Sequence, residues 1–384
     1  MKKRRVLVSM LLLIALMLAG CSVKTTEQTD EKQVPVVGNL KYDYSMELKY
    51  AKKFTVDYFK GGYALISINN GSRFLVVPEN KEVPQDLDED IAIIQQPISN
   101  IYLVAPAAMP FFVELDSIDR IRLSGTRVDA WSIPEAVREM EAGNILFAGK
   151  YSEPDFELLL AENCKLTIQS NMISHAPQIK EKLEEIGLTV LVELSSYEDH
   201  PLGRTEWIKM YSVLFDKEEL GEKIFNEQAS VLDELKGIEN TEKTVAFFYI
   251  TTQNTISARN TNDYVPKMIE IAGGRYIFKN LGDPAKALST TKMGMEEFYG
   301  TAKEADIIIY NSTINGGLNS IKELVDKNEL FANFKAVKEG NVWCTGQDFY
   351  QNTNEAGSII KELRTIILND AESFSNLKYF YKLQ

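Results

Sequence analysis

Residues 216–236 read DKEELGEKIFNEQASVLDELK, and this stretch separates two halves of similar organisation. Its first four residues form a capping-box pattern, which predicts the start of a helix. Apolar residues then recur at helical spacing, at Leu220, Ile224, Phe225, Val231, Leu232 and Leu235. A helix over residues 217–236 would be roughly 30 Å long, about the diameter of a small domain. We therefore predict a rigid connector helix; the alternative is one more packing helix.

Strands and helices alternate on both sides of this stretch. In the first half, the predicted strands cover residues 101–105, 120–123, 145–148, 166–169 and 189–193, and the predicted helices cover 109–115, 155–162 and 176–186. In the second half, strands over 245–251, 307–310 and 341–344 alternate with helices over 265–272 and 321–325. Such alternation is typical of α/β folds with largely parallel sheets. The prediction is two Rossmann-like lobes joined by a long connector α-helix.

A different pattern precedes these elements. Three β-rich segments over residues 54–59, 63–68 and 73–77 are separated by Gly-Gly and Asn-Asn-Gly, which favour hairpin turns. We therefore expect an N-terminal antiparallel β-meander. The predicted domains are an N-terminal lobe that includes the meander (41–215), the connector (216–237) and a C-terminal lobe (238–384), whose last helix could return to the N-terminal lobe.

The first forty residues have the pattern of an export signal and a tether. A basic segment precedes a largely apolar run over residues 6–18, which is shorter than the roughly 20 residues that span a bilayer. Leu-Ala-Gly-Cys21 then resembles a lipobox. We predict a lipoprotein signal peptide over 1–20, lipid on Cys21 and a polar, flexible tether over 21–40. The alternative is an ordinary signal peptide with a chance cysteine. The lipoprotein would lie on the extracytoplasmic face of the cell membrane.

The net negative charge and the lack of known catalytic motifs argue against several classes of function. The formal net charge of −13 argues against nucleic-acid binding, which needs a basic surface. No GxSxG, P-loop, HExxH or dinucleotide-binding sequence is present. Two histidines, His175 and His200, are too few for the usual three-ligand metal site. Cys164 and Cys344 are expected to be buried free thiols, with a disulfide as the alternative.

The stretch SSYEDHPLGRTEW, residues 195–207, combines serine, acid, histidine and arginine. It follows the predicted strand 189–193, so it lies where α/β sheets present ligands. Pro201 and Gly203 predict a turn, and Thr205 is the expected N-cap of the next helix. Nothing around the serines would activate a hydroxyl. The open alternatives are a structural turn and a ligand-binding loop, in which Arg204 would grip an anionic group and His200 would be the second candidate.

The two halves also contain matching segments, EPDFELLLAENCKLTI (153–168) and GMEEFYGTAKEADIIIY (294–310). In each segment an acidic residue opens an apolar helix, and a buried strand begins about ten residues later. Glu157 and Glu296 therefore have equivalent predicted positions. A purely structural explanation is that each carboxylate stabilises the first turn of its helix.

Over residues 101–368 the chain resembles the substrate-binding proteins of ABC importers for iron–siderophores, haem and cobalamin, which have a helical backbone between periplasmic-binding-protein-like lobes. The stretches that carry this resemblance are IYLVAPAAMPFFVELDSIDRIRLSG, EPDFELLLAENCKLTI, IKEKLEEIGLTVLVE, PKMIEIAGGRYIF and MEEFYGTAKEADIIIY. The resemblance implies a monomer that works with an ABC permease and its ATPase. It also implies that Glu157 and Glu296, or Glu297, dock on the permease.

A ligand would lie between the lobes, where domain clefts place small-molecule sites. We expect an Fe(III) chelate and no intrinsic cofactor. The candidate ligand-binding residues are Arg204, His200, Tyr151, Met172, Asn171, Tyr249, Trp343 and Tyr350, together with residues 106–109. Haem, cobalamin and an oxyanion are alternative ligands. An extracytoplasmic chelatase or hydrolase on the same scaffold, and a sensing lipoprotein, are alternative classes; we expect a binding protein rather than an enzyme.

Overall fold

The computed structural model describes residues 34–237, 240–283, 288–346 and 349–384. The predicted signal peptide, Cys21 and most of the tether lie outside the described residues. Val37–Gln384 form one compact unit. Val37, which the prediction assigned to the tether, is buried, and Leu40 packs beside it against the N-terminal sheet. The folded body therefore begins at Val37 rather than at residue 41.

The N-terminal sheet contains five strands in sequence order. They are β1 (Tyr42–Ser45), β2 (Phe54–Phe59), β3 (Tyr63–Ile68), β4 (Arg73–Val77) and β5 (Ile91–Gln95). The predicted antiparallel meander is confirmed in β2–β4, and β5 adds to it in parallel. Alternating side chains pack one face of this sheet into the main core and the other face into a second apolar cluster.

The second sheet has the strand order β12-β11-β6-β7-β8, and each of its neighbouring pairs is parallel. The strands of this region are β6 (Ile101–Leu103), β7 (Ile121–Ser124), β8 (Leu146–Phe147), β9 (Gly149–Lys150), β10 (Glu153–Pro154), β11 (Leu166–Ser170) and β12 (Thr189–Glu193). Its helices are α1 (Met109–Glu114), α2 (Pro134–Glu141), α3 (Phe156–Ala161) and α4 (Pro177–Glu185). Strands β9 and β10 form a separate short hairpin.

Two helices lead from this sheet to the next one. Helix α5 (Pro201–Leu214) is buried along its whole length, and α6 (Glu218–Glu234) follows it. The predicted connector is thus 17 residues long and starts at Glu218. The predicted capping box is wrong: Lys217 is the N-cap, no side chain caps the helix, and Asp216 has φ +60° in the turn between α5 and α6. Aspartate tolerates this left-handed conformation better than most residues.

The third sheet contains seven strands among the described residues. They are β13 (Thr244–Ile250), β14 (Ile256–Arg259), β15 (Arg275–Tyr276), β16 (Thr290–Met293), β17 (Ile307–Tyr310), β18 (Val342–Thr345) and β19 (Phe380–Lys382). Its helices are α7 (Tyr264–Ile271), α8 (Met295–Ala302), α9 (Ser312–Asn315), α10 (Ile321–Lys327), α11 (Lys335–Lys338) and α12 (Ala356–Leu368). Strands β15, β13, β17 and β18 are parallel to one another. Strand β14 is antiparallel to β13, β16 is antiparallel to β14, and β19 is antiparallel to β18.

The α/β fold with an N-terminal antiparallel sheet is therefore confirmed. Helix α12 packs against α5, α6 and α7, and the chain then adds β19 to the third sheet. The strand β13, TVAFFYI, is almost wholly buried, as expected for a strand covered on both faces. Within the ranges described above, no helix is long and apolar enough to cross a membrane.

Candidate functional site

A cleft of about 280 Å³ lies where strands of the second and third sheets end. Residues 105–107 follow β6, and Ser170 and Glu193 are the last residues of β11 and β12. From the other half, Thr313 follows β17, and the pair Tyr350 and Gln351 follows β18. Ends of parallel strands are where α/β sheets place ligands. The topology therefore brings the carboxyl ends of both sheets to one cleft.

Two arginines and two tyrosines alternate on the inner side of this cleft. The guanidinium carbon of Arg204 lies 3.8 Å from the centre of the Tyr264 ring. The Arg259 guanidinium lies 5.6 Å from the same ring and 4.7 Å from the ring of Tyr350, which lines the cleft. Cations over aromatic faces attract the ring quadrupole. The four side chains therefore form a cation–aromatic cluster that joins α5 of the first half to α7 of the second.

The two arginines differ in their polar partners. Arg259 donates to the Asp263 carboxylate at 3.1 Å, and Asp263 also caps α7 by accepting from the amide of Val265. Burial alone would lower the pKa of Arg259, but the carboxylate of Asp263 holds that pKa well above the usual value. Arg204 is 5% exposed and reaches Thr353 Oγ1 at 3.5 Å. Its Nε has no hydrogen-bond partner among the described residues.

Glu193 brings a buried carboxyl group to the same cleft. It is 3% exposed and accepts a hydrogen bond from the amide of Ser195 at 2.7 Å. Burial raises the pKa of Glu193 because a charged carboxylate is poorly solvated there. A protonated carboxyl group offers a donor and an acceptor to a ligand, whereas a carboxylate only accepts.

The segment after β18 crosses from the second half to the first. The side-chain amide of Gln351 accepts from the amide of Ser132 at 2.8 Å and donates to the carbonyl of Ala130 at 2.9 Å. Thr205 donates to the carbonyl of Thr353 at 2.9 Å, and Asn354 donates to Glu114 at 3.1 Å. These contacts hold one wall of the cleft against the other.

A second, polar chamber of about 280 Å³ lies beside the cleft. Ser196 lines both spaces. One wall of the chamber contains Lys53 and residues 196–199, and the facing wall contains Asn262 and Asp263 at the start of α7. The chamber therefore contains a residue of the N-terminal sheet region as well as residues of both halves.

A model of the periplasmic binding protein family matches residues 123–348. The chain belongs to the periplasmic binding protein family. An uncharacterized lipoprotein of Methanocaldococcus jannaschii, MJ0878, is 24% identical over 423 aligned residues, which cover 100% of this chain and 97% of that protein. The petrobactin-binding protein YclQ of Bacillus subtilis has a similar fold, with a TM-score of 0.58 at 14% identity over 79% of this chain and 98% of that one. The haem-binding protein HutB of Vibrio cholerae has a TM-score of 0.55 at 14% identity, covering 69% and 98%.

The loop 195–207 of this periplasmic binding protein differs from the prediction. Helix α5 begins at Pro201, so Pro201 and Gly203 lie in a helix, and Thr205 is not the N-cap. The N-cap is His200, whose Nδ1 accepts from the amide of Leu202 at 3.1 Å. The His200 ring also stacks on Tyr50 at 4.4 Å between centroids. Burial lowers the pKa of His200 to about 4, with Lys267 and Lys52 adding to the effect. The contacts of His200 are therefore those of a structural cap.

The other candidate ligand residues fall into two groups. Tyr350 lines the cleft, and Arg204 lies behind it in the cation–aromatic cluster. Trp343 is a correction: it is fully buried in β18, donates to Asn341 at 2.9 Å and packs edge-on against Phe374. Four further candidates, Tyr151, Asn171, Met172 and Tyr249, are not among the described residues that line the cleft. Of residues 106–109, positions 106 and 107 line it, while Ala108 and Met109 are buried.

Sequence reasoning missed Glu193, Arg259 and Tyr264. Glu193 was assigned only as the end of a strand, although a carboxylate at that place in a parallel sheet indicates a site. Arg259 and Tyr264 flank the polar stretch NTND after β14. No motif identifies them, because their proximity to Arg204 depends on how the two halves pack.

Glu157 and Glu296 occupy the same local position in their helices. Each is the second residue of its helix, α3 or α8, and each is exposed. Two residues later, Leu159 and Phe298 are both fully buried. Glu297 is also exposed, but it corresponds to the position of Leu158. The repeated pattern therefore pairs Glu157 with Glu296.

The remaining chemical groups have structural surroundings. Cys164 and Cys344 are free, buried thiols, as expected. His175 ends a short 3₁₀ helix after β11 and is exposed. In the part of the chain that the structure describes, no group of three His, Cys, Asp or Glu side chains could hold a metal ion.

Proposed function

We propose that this chain is the substrate-binding component of an ABC importer, anchored by lipid on the extracytoplasmic face of the cell membrane. It captures an Fe(III) chelate of the iron–siderophore type between its two lobes and delivers it to the permease. The observation that carries the proposal is the cleft at the carboxyl ends of both sheets, with its cation–aromatic cluster.

The chemistry of the cleft supports an anionic chelate. Arg259 is compensated by Asp263, whereas Arg204 is buried with a hydroxyl and a ring as its near partners. The nearby acidic group of Arg204 is the buried Glu193, which interacts with its charge but makes no ion pair with it among the described residues. Arg204 therefore favours a ligand with negative charge, since an arginine can bind a carboxylate through two donors. Tyr350 adds an aromatic wall against which an organic chelate can pack.

Similar structures support the ligand class. The fold neighbours include proteins named for binding petrobactin and haem. Their identities to this chain are 14%, so the likeness concerns the fold, and the proposal of an anionic chelate depends on the side chains of this chain's own cleft. We propose no catalytic step, no intrinsic cofactor and a monomeric state.

Docking on the permease is proposed for Glu157 and Glu296. Exposed carboxylates at equivalent points of two lobes suit a transient contact with arginines, because such pairs give orientation and association rate more than affinity. The matching helix positions favour Glu296 over Glu297. An ATPase would complete the importer.

Membrane attachment is proposed through Cys21. Two relatives, MJ0878 and MJ0872, are both named lipoproteins and align over 100% of this chain. Lipid on Cys21 would keep the binding protein close to its permease and raise their effective concentration.

Ligand binding tests the proposal directly. The full-length protein in detergent is titrated with Fe(III)–citrate, a ferric trihydroxamate, a ferric tris-catecholate, haemin and cyanocobalamin, with tryptophan fluorescence as the signal. We expect saturable quenching by one of the three iron chelates. Preferential binding of haemin or cyanocobalamin would replace the proposed ligand, and no binding to any of the five would contradict the proposed function.

A further inference from the structure

The loop that joins β1 to β2 crosses the buried helix α5 and is held there by two carboxylates. We call residues 47–53 the strap. The side chain of Glu206, fully buried in α5, accepts hydrogen bonds from the amides of Lys49, Tyr50 and Ala51 at 2.7–2.8 Å. Hydrogen bonds to a charged acceptor are shorter and stronger than neutral ones. The middle of the strap is therefore fixed to α5.

The end of the strap is fixed by a second carboxylate. Glu198 is 2% exposed, and its carboxylate accepts hydrogen bonds from the backbone amides of Lys52 and Lys53, both at 2.9 Å. The same carboxylate accepts from the Trp207 indole at 3.0 Å. Two consecutive backbone amides on one side chain leave little freedom for the direction of Lys53.

This arrangement directs Lys53 towards the ligand space. Lys53 is half-buried and lines the polar chamber, which shares the lining residue Ser196 with the cleft. Within the described residues, its ammonium makes no hydrogen bond, although its backbone amide does. The chamber is also lined by the acidic residues Glu198, Asp199, Asp263 and Asp283, of which Asp263 is engaged by Arg259 and by the start of α7. The charge of Lys53 interacts with the Glu198 carboxylate, but its three donors make no hydrogen bond in the described part of the chain.

We propose that Lys53 is a ligand-contacting residue, which binds an acceptor oxygen at the periphery of the chelate. The inference rests on the proposed function and deepens it. An ammonium donates hydrogen bonds and accepts none, so the ligand group must be a carboxylate, phenolate, hydroxyl or carbonyl oxygen. Glu206 is a positioning residue, because it acts on the ligand only through the strap. Glu198 positions the end of the strap and also lines the chamber itself.

The proposal gives the N-terminal sheet a part in specificity. Residues 34–95 precede the segment 123–348 that matches the family. The sheet is tied to the two-lobed body by the strap, and the strap ends in the chamber. An oxygen-rich chelate long enough to extend from the cleft into the chamber would contact both regions.

Two adjacent lysines provide the test and its control. Lys52 and Lys53 bind the same carboxylate through their amides, but only Lys53 of the two lines the chamber. The full-length protein in detergent is titrated with the five compounds named above, and Kd is measured for the best binder. We expect Lys53→Ala to raise Kd about tenfold, as for the loss of one hydrogen bond to a charged group. Lys52→Ala should bind like the wild type.

Further variants separate ligand contact from a structural effect. Lys53→Arg should bind the ligand with nearly the affinity of the wild type. The ratio of the Kd of Lys53→Ala to the Kd of the wild type should be larger at low salt than at high salt, because salt screens the charge of Lys53. Wild-type Kd in Lys53→Ala would overturn the inference while the proposed function stands. An equal loss in Lys52→Ala, or a loss in Lys53→Ala that tracks a lowered unfolding temperature, would also overturn it. If the wild type binds none of the compounds, both the proposed function and this inference fall.

Discussion

Arg204 and Tyr264 are in van der Waals contact across the two halves of the protein, with the guanidinium carbon 3.8 Å from the ring centre. Arg204 belongs to α5 and Tyr264 opens α7. Both side chains are buried, so the contact is shielded from water. The interaction links the cleft to the packing between the halves, and Arg204 consequently affects stability as well as ligand binding.

Replacement of this arginine is the first prediction. Arg204→Ala should lower the free energy of unfolding by about 2 kcal/mol, since a desolvated cation–aromatic contact and buried packing are lost. It should also weaken binding of the anionic chelate. Chemical denaturation measures the first effect and fluorescence titration the second. A double-mutant cycle with Tyr264→Leu should give a coupling of about 1 kcal/mol; zero coupling would show that the contact does not stabilise the protein.

The carboxylate that holds the strap is the second prediction. Glu206→Gln should destabilise the protein by about 3 kcal/mol, because one acceptor oxygen is replaced by a donor facing backbone amides in a buried site. Hydrogen exchange at Lys49, Tyr50 and Ala51 should accelerate in this variant. Glu227→Gln is the control on the neighbouring helix. Its side chain is 62% exposed and its ion-pair partner Lys223 is 71% exposed, so we expect a change within about 0.5 kcal/mol. Unchanged exchange in Glu206→Gln would contradict the proposed clamp.

His200 gives a prediction about pH. Its pKa is about 4 in the folded protein and about 6.5 in an unfolded chain. Between these values the unfolded chain binds more protons, so the contribution of His200 to stability is complete above pH 6.5 and is lost as the pH falls to 4. After allowance for partial exposure, this contribution is about 1–2 kcal/mol.

The variant His200→Asn isolates that contribution. Asparagine is a good N-cap and does not titrate in this range. The free energy of unfolding of the wild type minus that of the variant should therefore rise between pH 4 and pH 6.5. Urea denaturation at several pH values measures it. A difference that stays constant with pH would contradict the lowered pKa.

Charge reversal on the two docking glutamates is the fourth prediction. Glu157→Lys with Glu296→Lys should abolish uptake of the iron chelate by cells, while purified protein keeps its fold and its Kd. The control is Glu157→Lys with Glu297→Lys, which reverses the same number of exposed charges. This control should retain more uptake. Normal uptake in the first variant would contradict docking through these residues.

Local patterns in the chain predicted most of the elements. Periodicity gave the strand Thr189–Glu193 with the bounds that the structure has, and the helices α1, α4 and α6 within a few residues. The errors occurred at caps. Asp216 and Thr205 both have N-cap chemistry, but Lys217 and His200 occupy the N-cap positions. Cap position depends on the path of the preceding chain, which local composition does not specify.

The site was less predictable than the fold. Tyr350 was identified because aromatic residues after a strand suggest a cleft wall, and the same reasoning failed for Trp343, which points into the core. Alternate residues of a strand face opposite sides, and the sequence of a strand buried on both faces does not show which side is which. Glu193, Arg259 and Tyr264 could be recognised as site residues only once the tertiary structure placed them near one another.

The sequence by itself determined the α/β fold, the N-terminal antiparallel sheet, the helix α6 between the second and third sheets and the matched positions of Glu157 and Glu296. These features depend on periodicity and on helix starts, which act over a few residues. Tertiary structure decided that Arg204, Tyr264, Arg259 and Tyr350 form one cluster, and that the strap brings Lys53 to the chamber. Apart from the local pair Arg259 and Tyr264, those contacts join residues more than fifty positions apart, because burial of two sheets around α5 and α6 sets the distances between them.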